Sequence, residues 1–201
     1  MAAEEEKAMV VCFGDSITKR GYSEILAEAL KVKAINAGVG GHNSKQGLHR
    51  IEKDVLAHKP DVVVVFFGTN DIRVDSERAF VPLKKYRENL SEISRRCQKA
   101  GAKVVFCTPP PIDSKAYYQR HKEADFAKVG GVQKLLADYR QAVIEVAKKE
   151  NSEVVDLNQL LADKPEWMSP DGVHPGKGGT RLIARLVGEK VAPLVRKDAG
   201  K

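Results

Sequence analysis

Two rhythms of apolar positions alternate along the chain. Short apolar runs recur at Val10-Val11-Cys12-Phe13, "VKAINAG" (32–38), "DVVVVFFG" (61–68), "AKVVFCTP" (102–109) and "SEVVDL" (152–157). From Val62 to Phe67 every residue is apolar, the pattern of a strand covered on both faces. Between the runs, apolar residues return at helical spacing. Tyr22, Ile25, Leu26, Ala29 and Leu30 form the first such set, and Leu48, Ile51, Val55 and Leu56 the second, within 45–57. Leu83, Tyr86, Leu90 and Ile93 mark a third helix that ends at Gly101. Val132, Leu135, Leu136, Tyr139, Val143 and Val146 mark a long fourth, and Leu182, Ile183, Leu186, Val187, Val191 and Leu194 the closing one. This alternation predicts an α/β fold: a three-layer α/β/α sandwich around a five-stranded parallel sheet with right-handed crossovers, of strand order 2-1-3-4-5. No repeat, linker or shift of composition divides residues 1–201, so one domain is expected, with its core over about 9–195.

Composition narrows the partners. The chain has 201 residues, 42% of them hydrophobic and 30% charged, with a formal net charge of +7. Its basic residues lie on the polar faces of helix-like stretches such as "KKYRENLSEISRRCQKAGAK", with no block of like charge or interleaved aromatic platform. A solvated helix surface accounts for them, and no nucleic-acid partner is expected. No stretch reaches membrane-spanning length, and "MAAEEEKAM" lacks the apolar core of a leader, so no stable membrane association is expected. The chain as written reads as cytoplasmic, although a leader removed beforehand would leave the same sequence. Cys12, Cys97 and Cys107 are an odd set with no Cys-x-x-Cys spacing, which fits buried reduced thiols rather than disulfides. His42, His49 and His58 lack the spacing and acidic partners of a zinc site, so no metal is expected. No pattern specifies an oligomer.

In a parallel sheet all strands end on one edge, where ligands bind. The first strand delivers Gly14-Asp15-Ser16 to that rim, and the second runs into the glycine-rich "NAGVGGHNS" (36–44). The third ends in "GTND" (68–71), and the fifth is followed by "SPDGVHPGKGG" (169–179). Taken singly, these residues have plain structural readings: Ser16 or Asn70 as helix caps, Asp171 as a turn residue, His174 as a loop histidine, the glycines as turn formers. Together they supply acyl-transfer chemistry. A serine hydroxyl needs a base to take its proton, an imidazole does so near neutral pH, and a carboxylate three residues away can fix the ring's tautomer. The backbone N–H groups of Ser16 and Gly41 and the side-chain amide of Asn70 are donors of the type that holds an oxyanion. Nucleotide readings fail on spacing: "GKGGT" (176–180) has Asp171 where a phosphate loop needs its first glycine, and "GVGGHN" lacks the third glycine of a dinucleotide fingerprint.

Four blocks, "FGDSIT", "NAGVGG", "FFGTNDI" and "DGVHP", resemble those of the SGNH, or GDSL-type, hydrolases, in order and over nearly the whole chain. The resemblance implies a flavodoxin-like fold and a Ser-His-Asp hydrolase of esters or thioesters with no metal or organic cofactor. It implies Ser16, Asp171 and His174 as the triad, and Ser16, Gly41 and Asn70 as the oxyanion donors. Among Gly38, Gly40 and Gly41, the family spacing from Asn36 points to Gly41. "TPPP" after the fourth strand is similar to small-ester-hydrolysing members such as the isoamyl-acetate-hydrolysing esterases, and the same blocks occur in carbohydrate acetylesterases. The reading is therefore a serine esterase acting on small or short-acyl esters. A lysophospholipase or thioesterase of the same family and a non-catalytic binding module are the alternatives.

Substrate contacts are expected from three places. The first is Asp15, beside Ser16. The second is the long stretch 108–131, expected to be irregular, where Tyr117 and Tyr118 stand with Arg120, His121 and Phe126. The third is Trp167 and Met168, just before Asp171, which could line an acyl pocket or seal the core.

Overall fold

The computed structural model describes residues 7–195. Five parallel strands form one sheet: β1 (Met9–Gly14), β2 (Lys33–Gly38), β3 (Val62–Phe66), β4 (Lys103–Cys107) and β5 (Glu153–Val155), in the order β2-β1-β3-β4-β5. The period-two pleat divides the apolar runs between two cores. Val11, Phe13, Val63, Val65, Val104 and Phe106 face α3 (Ser44–Asp54), α4 (Leu83–Lys99) and α7 (Val132–Lys149). Val10, Cys12, Val62, Val64, Phe66, Val105 and Cys107 face the other layer, made by α1 (Ser16–Lys19), α2 (Tyr22–Leu30) and α9 (Lys177–Val195). The all-apolar run of β3 is thus a central strand buried on both sides, and the three-layer architecture and strand order are as expected.

Several local features depart from the periodic pattern. The helix that follows Ser16 is broken: α1 is a single turn, and the chain restarts as α2 after Gly21, whose φ of 93° only glycine adopts without strain. The stretch expected to be irregular holds two five-residue helices, α5 (Ser114–Tyr118) and α6 (Glu123–Ala127). Each is too short to print a helical period. Asp113 starts α5 by accepting the Ala116 N–H, and Tyr117 and Phe126 pack edge-to-face beneath both helices. A last short helix, α8 (Leu157–Leu160), follows β5. The helix α9 begins at Lys177, inside a glycine-rich stretch that carries no helical signal. Gly179 is needed there, because a Cβ would stand 1.8 Å from the Trp167 carbonyl oxygen.

Among the described residues, no helix is long and apolar enough to cross a membrane.

Candidate active site

The strand ends meet where the sheet pattern predicts. β1 closes on Gly14, where any side chain would collide with Thr18 and with the Phe66 carbonyl; its Cβ would lie 2.2 Å from Thr18 Oγ1. Asp15 then caps α1, its Oδ1 accepting the Ile17 N–H at 2.9 Å, and Ser16 stands in the first turn, half-buried. Across 158 residues of sequence, Ser16 Oγ lies 2.8 Å from His174 Nε2. His174 Nδ1 is 2.7 Å from Asp171 Oδ2. The other carboxylate oxygen, Oδ1, accepts the backbone N–H groups of Val173 and His174, each at 2.9 Å. Partial burial opposes charge on Asp171, but these N–H donors and the imidazole outweigh it and hold the carboxyl well below the usual range. The loop is closed on itself, with the Ser169 N–H donating to the His174 carbonyl at 2.8 Å and the Gly172 N–H to the Ser169 carbonyl at 3.0 Å.

Asn70 joins the remaining blocks. Its Nδ2 donates to the His42 carbonyl at 3.0 Å and reaches Asp15 Oδ2 at 3.4 Å, so the amide lies between the residue before Ser16 and the residue after Gly41. In the glycine turn, the Val39 N–H donates to the Gly14 carbonyl and the His42 N–H to the Val39 carbonyl. Gly41 is exposed with φ 76°, and a Cβ there would meet nothing within 4 Å. The turn therefore needs glycine for its backbone conformation rather than for room.

Three of the expected substrate contacts are buried. Asp15 is fully buried and lies beneath the rim as a cap and a partner of Asn70. Burial pushes its carboxyl up to about 7, and the nearby Asp71 adds to the rise. Tyr117 is buried because its ring stacks on His121, centroids 4.0 Å apart, and packs against Phe126. Trp167 is buried in the core on the α9 side. Aromatic residues next to a site and aromatic residues in a core look the same in sequence, and here tight packing decides for the core. Tyr118 is half-buried, and its Oη accepts the Val132 N–H at the start of α7. Met168 and Trp167 border a cavity of about 390 Å³ with Ile112, Ala116, Leu161 and Gly172; neither Ser16 nor His174 lines it.

Other functional neighbours gave little sequence signal. Arg50, on α3, donates to the carbonyls of Gly14 and Ala37, each at 2.8 Å, tying the ends of β1 and β2 together under the rim. Asp71 accepts the Ser44 N–H and hydroxyl, and burial pushes its carboxyl up to about 6. One local signal was available: "NSKQ" (43–46) is a capping box, with Asn43 and Gln46 bonded reciprocally. Among the described residues, no three His, Cys, Asp or Glu side chains are grouped as metal ligands.

A serine, an imidazole and a carboxylate thus stand in hydrogen-bonded series at the carboxyl edge of a parallel sheet, the edge on which α/β proteins carry their ligand sites. The comparisons give the family. Residues 12–182 match the GDSL-like Lipase/Acylhydrolase family, and the chain belongs to it. It is similar to the lipoprotein YqeF of Bacillus subtilis, 31% identical over 87% of this chain and 85% of that one. It is also similar to the isoamyl acetate-hydrolyzing esterase 1 homolog of Mus musculus, 28% identical over 92% and 83%. An acetyl xylan esterase of known structure superposes with a TM-score of 0.75 at 28% identity, over 91% of this chain and 99% of that one. The chain is an esterase-type hydrolase of this family, and its substrates are small-molecule carboxylic esters.

Proposed function

We propose that the chain cleaves short-acyl esters through a covalent acyl-enzyme, with Ser16, His174 and Asp171 as the catalytic triad. The observation that carries the reading is the continuous hydrogen-bonded series Ser16 Oγ–His174–Asp171, at 2.8 and 2.7 Å. With Nδ1–H donated to Asp171, Nε2 is left as the acceptor of the Ser16 hydroxyl proton. As that proton moves to Nε2, Oγ bonds to the ester carbonyl carbon and the carbonyl oxygen becomes an oxyanion. The N–H groups of Ser16 and Gly41 and the second Nδ2 hydrogen of Asn70, held only by a 3.4 Å contact to Asp15, receive that charge. The C–O bond to the alcohol then breaks, and its oxygen takes the proton from Nε2. Water repeats the sequence against the acyl-enzyme and releases the acid. Asp171, held ionised, stabilises the imidazolium formed in each half.

Short acyl groups are supported by the acetate and acetyl esters in the names of the mouse and acetyl xylan relatives. Three unpaired, buried cysteines fit a reducing compartment. Ser16→Ala is expected to cut turnover of p-nitrophenyl acetate by at least about 10⁴-fold with the fold intact, and in wild type the octanoyl ester is expected to react with lower kcat/KM than the acetyl ester. Undiminished turnover in Ser16→Ala overturns the mechanism.

A further inference from the structure

Two adjacent residues between α5 and α6 hold opposite sides of the site. Arg120 Nη2 donates to the backbone carbonyl of Asp171 at 2.5 Å. His121 Nδ1 is 2.9 Å from Asp75 Oδ2, in a pair whose side chains are 12% and 6% exposed. Asp75 lies five residues after Asn70 and is also gripped by Arg73, through Nε and Nη2, each at 3.3 Å. The Tyr117 ring stacked on His121 fixes the imidazole from the α5 side. A second tie runs from the Asp113 N–H, at the start of α5, to the Gly172 carbonyl at 3.0 Å. The segment 113–121 thus spans from the loop that carries Asn70 to the loop that carries Asp171 and His174.

The acid loop needs such a hold. Gly172 has φ 76° and sits directly between the carboxylate and the residues whose N–H groups orient it. The 171–172 peptide is tied on its N–H side to the Ser169 carbonyl within the loop, and on its carbonyl side to Arg120 from outside it; a tilt of that plane would carry the carboxylate that sets the imidazole with it. Two carbonyls there, those of Asp171 and Gly172, are held by donors from 113–121. We propose that Arg120 is a positioning residue for the triad: its guanidinium fixes the Asp171 peptide plane and so keeps the Asp171–His174 hydrogen bond aligned, while His121 anchors it to Asp75. The inference rests on the triad reading above. Arg120 acts through Asp171 and does not itself contact the reacting atoms.

The test compares wild type, Arg120→Ala and Arg120→Lys in hydrolysis of p-nitrophenyl acetate and in the low-field proton NMR signal of His174 Nδ1–H. Misalignment predicts that Arg120→Ala lowers kcat about tenfold with KM within about twofold of wild type. The Nδ1–H signal broadens or disappears in Arg120→Ala, and both kcat and the signal recover in large part in Arg120→Lys. Thermal denaturation of each variant separates this from unfolding, since the guanidinium is exposed and the melting temperature is expected to move little. Unchanged kcat and an unchanged Nδ1–H signal in Arg120→Ala overturn the proposal. A raised KM at unchanged kcat also overturns it, by making Arg120 a substrate contact. A wild-type protein that shows the Nδ1–H signal but hydrolyses no ester refutes the esterase mechanism alone; the effect of Arg120→Ala on the signal then decides the positioning role.

Discussion

At the scale of single residues, the site rests on two buried carboxyls, one of which, Asp15, was expected at the surface as a substrate contact. Asp15 and Asp71 both lie beneath the rim, and burial raises both, to about 7 and about 6. An unfolded chain releases the Asp71 proton near the ordinary 3.8, whereas the native state keeps it until about 6. Between those values the native state holds more protons than the unfolded one, so stability falls as pH rises through that window. Below it Asp71 has no effect, and above it the full penalty applies. Asp71→Asn keeps an acceptor for Ser44 and removes the titrating group. Relative to wild type, the variant is therefore expected to gain about 5 °C in melting temperature between pH 4 and pH 7. A parallel pH profile for the two proteins in thermal denaturation contradicts this account. Asp15 was legible as a neighbour of the nucleophile, but no local pattern says that its oxygens are used up by Ile17 and Asn70.

At the scale of elements, what could be read from sequence was what local periodicity encodes. β3 and β4 declared themselves by apolar runs, and α4 and α7 by long helical stripes. The five-residue α5 and α6 did not, because fewer than two turns cannot establish a period, and the aromatic contacts that hold them run from one helix to the other rather than along either. The glycine-rich entry to α9 read as loop because glycine opposes helix formation. It is helix because Gly179 lets the first turn lie against the Trp167 carbonyl, which also accepts the Gly176 N–H at 2.9 Å. Gly179→Ala is expected to push α9 off that carbonyl and cost about 3 kcal/mol or more, read as a lowered urea midpoint. A midpoint equal to wild type removes the close contact as the reason for this glycine.

At the scale of the whole molecule, the site exists only because a parallel sheet brings its strand ends to one edge. Ser16 arrives from the first strand, Asn70 from beyond the third, and Asp171 and His174 from the loop after the fifth strand. The four sequence blocks were legible as a set, and the strand alternation was enough to assign them to one rim. The Arg120–Asp171 and His121–Asp75 ties were not legible, since each joins residues more than 40 positions apart through contacts that no motif marks.

The central claim is that the hydroxyl of Ser16 is activated by an imidazole 158 residues away. Treatment with an organophosphonate ester, followed by peptide mass mapping of wild type and His174→Ala, tests it most directly. The account predicts a single adduct on Ser16 in wild type, and labelling slowed by at least about 10³-fold in His174→Ala. Labelling of Ser16 at equal rates in both proteins, or an adduct elsewhere with Ser16 untouched, contradicts it.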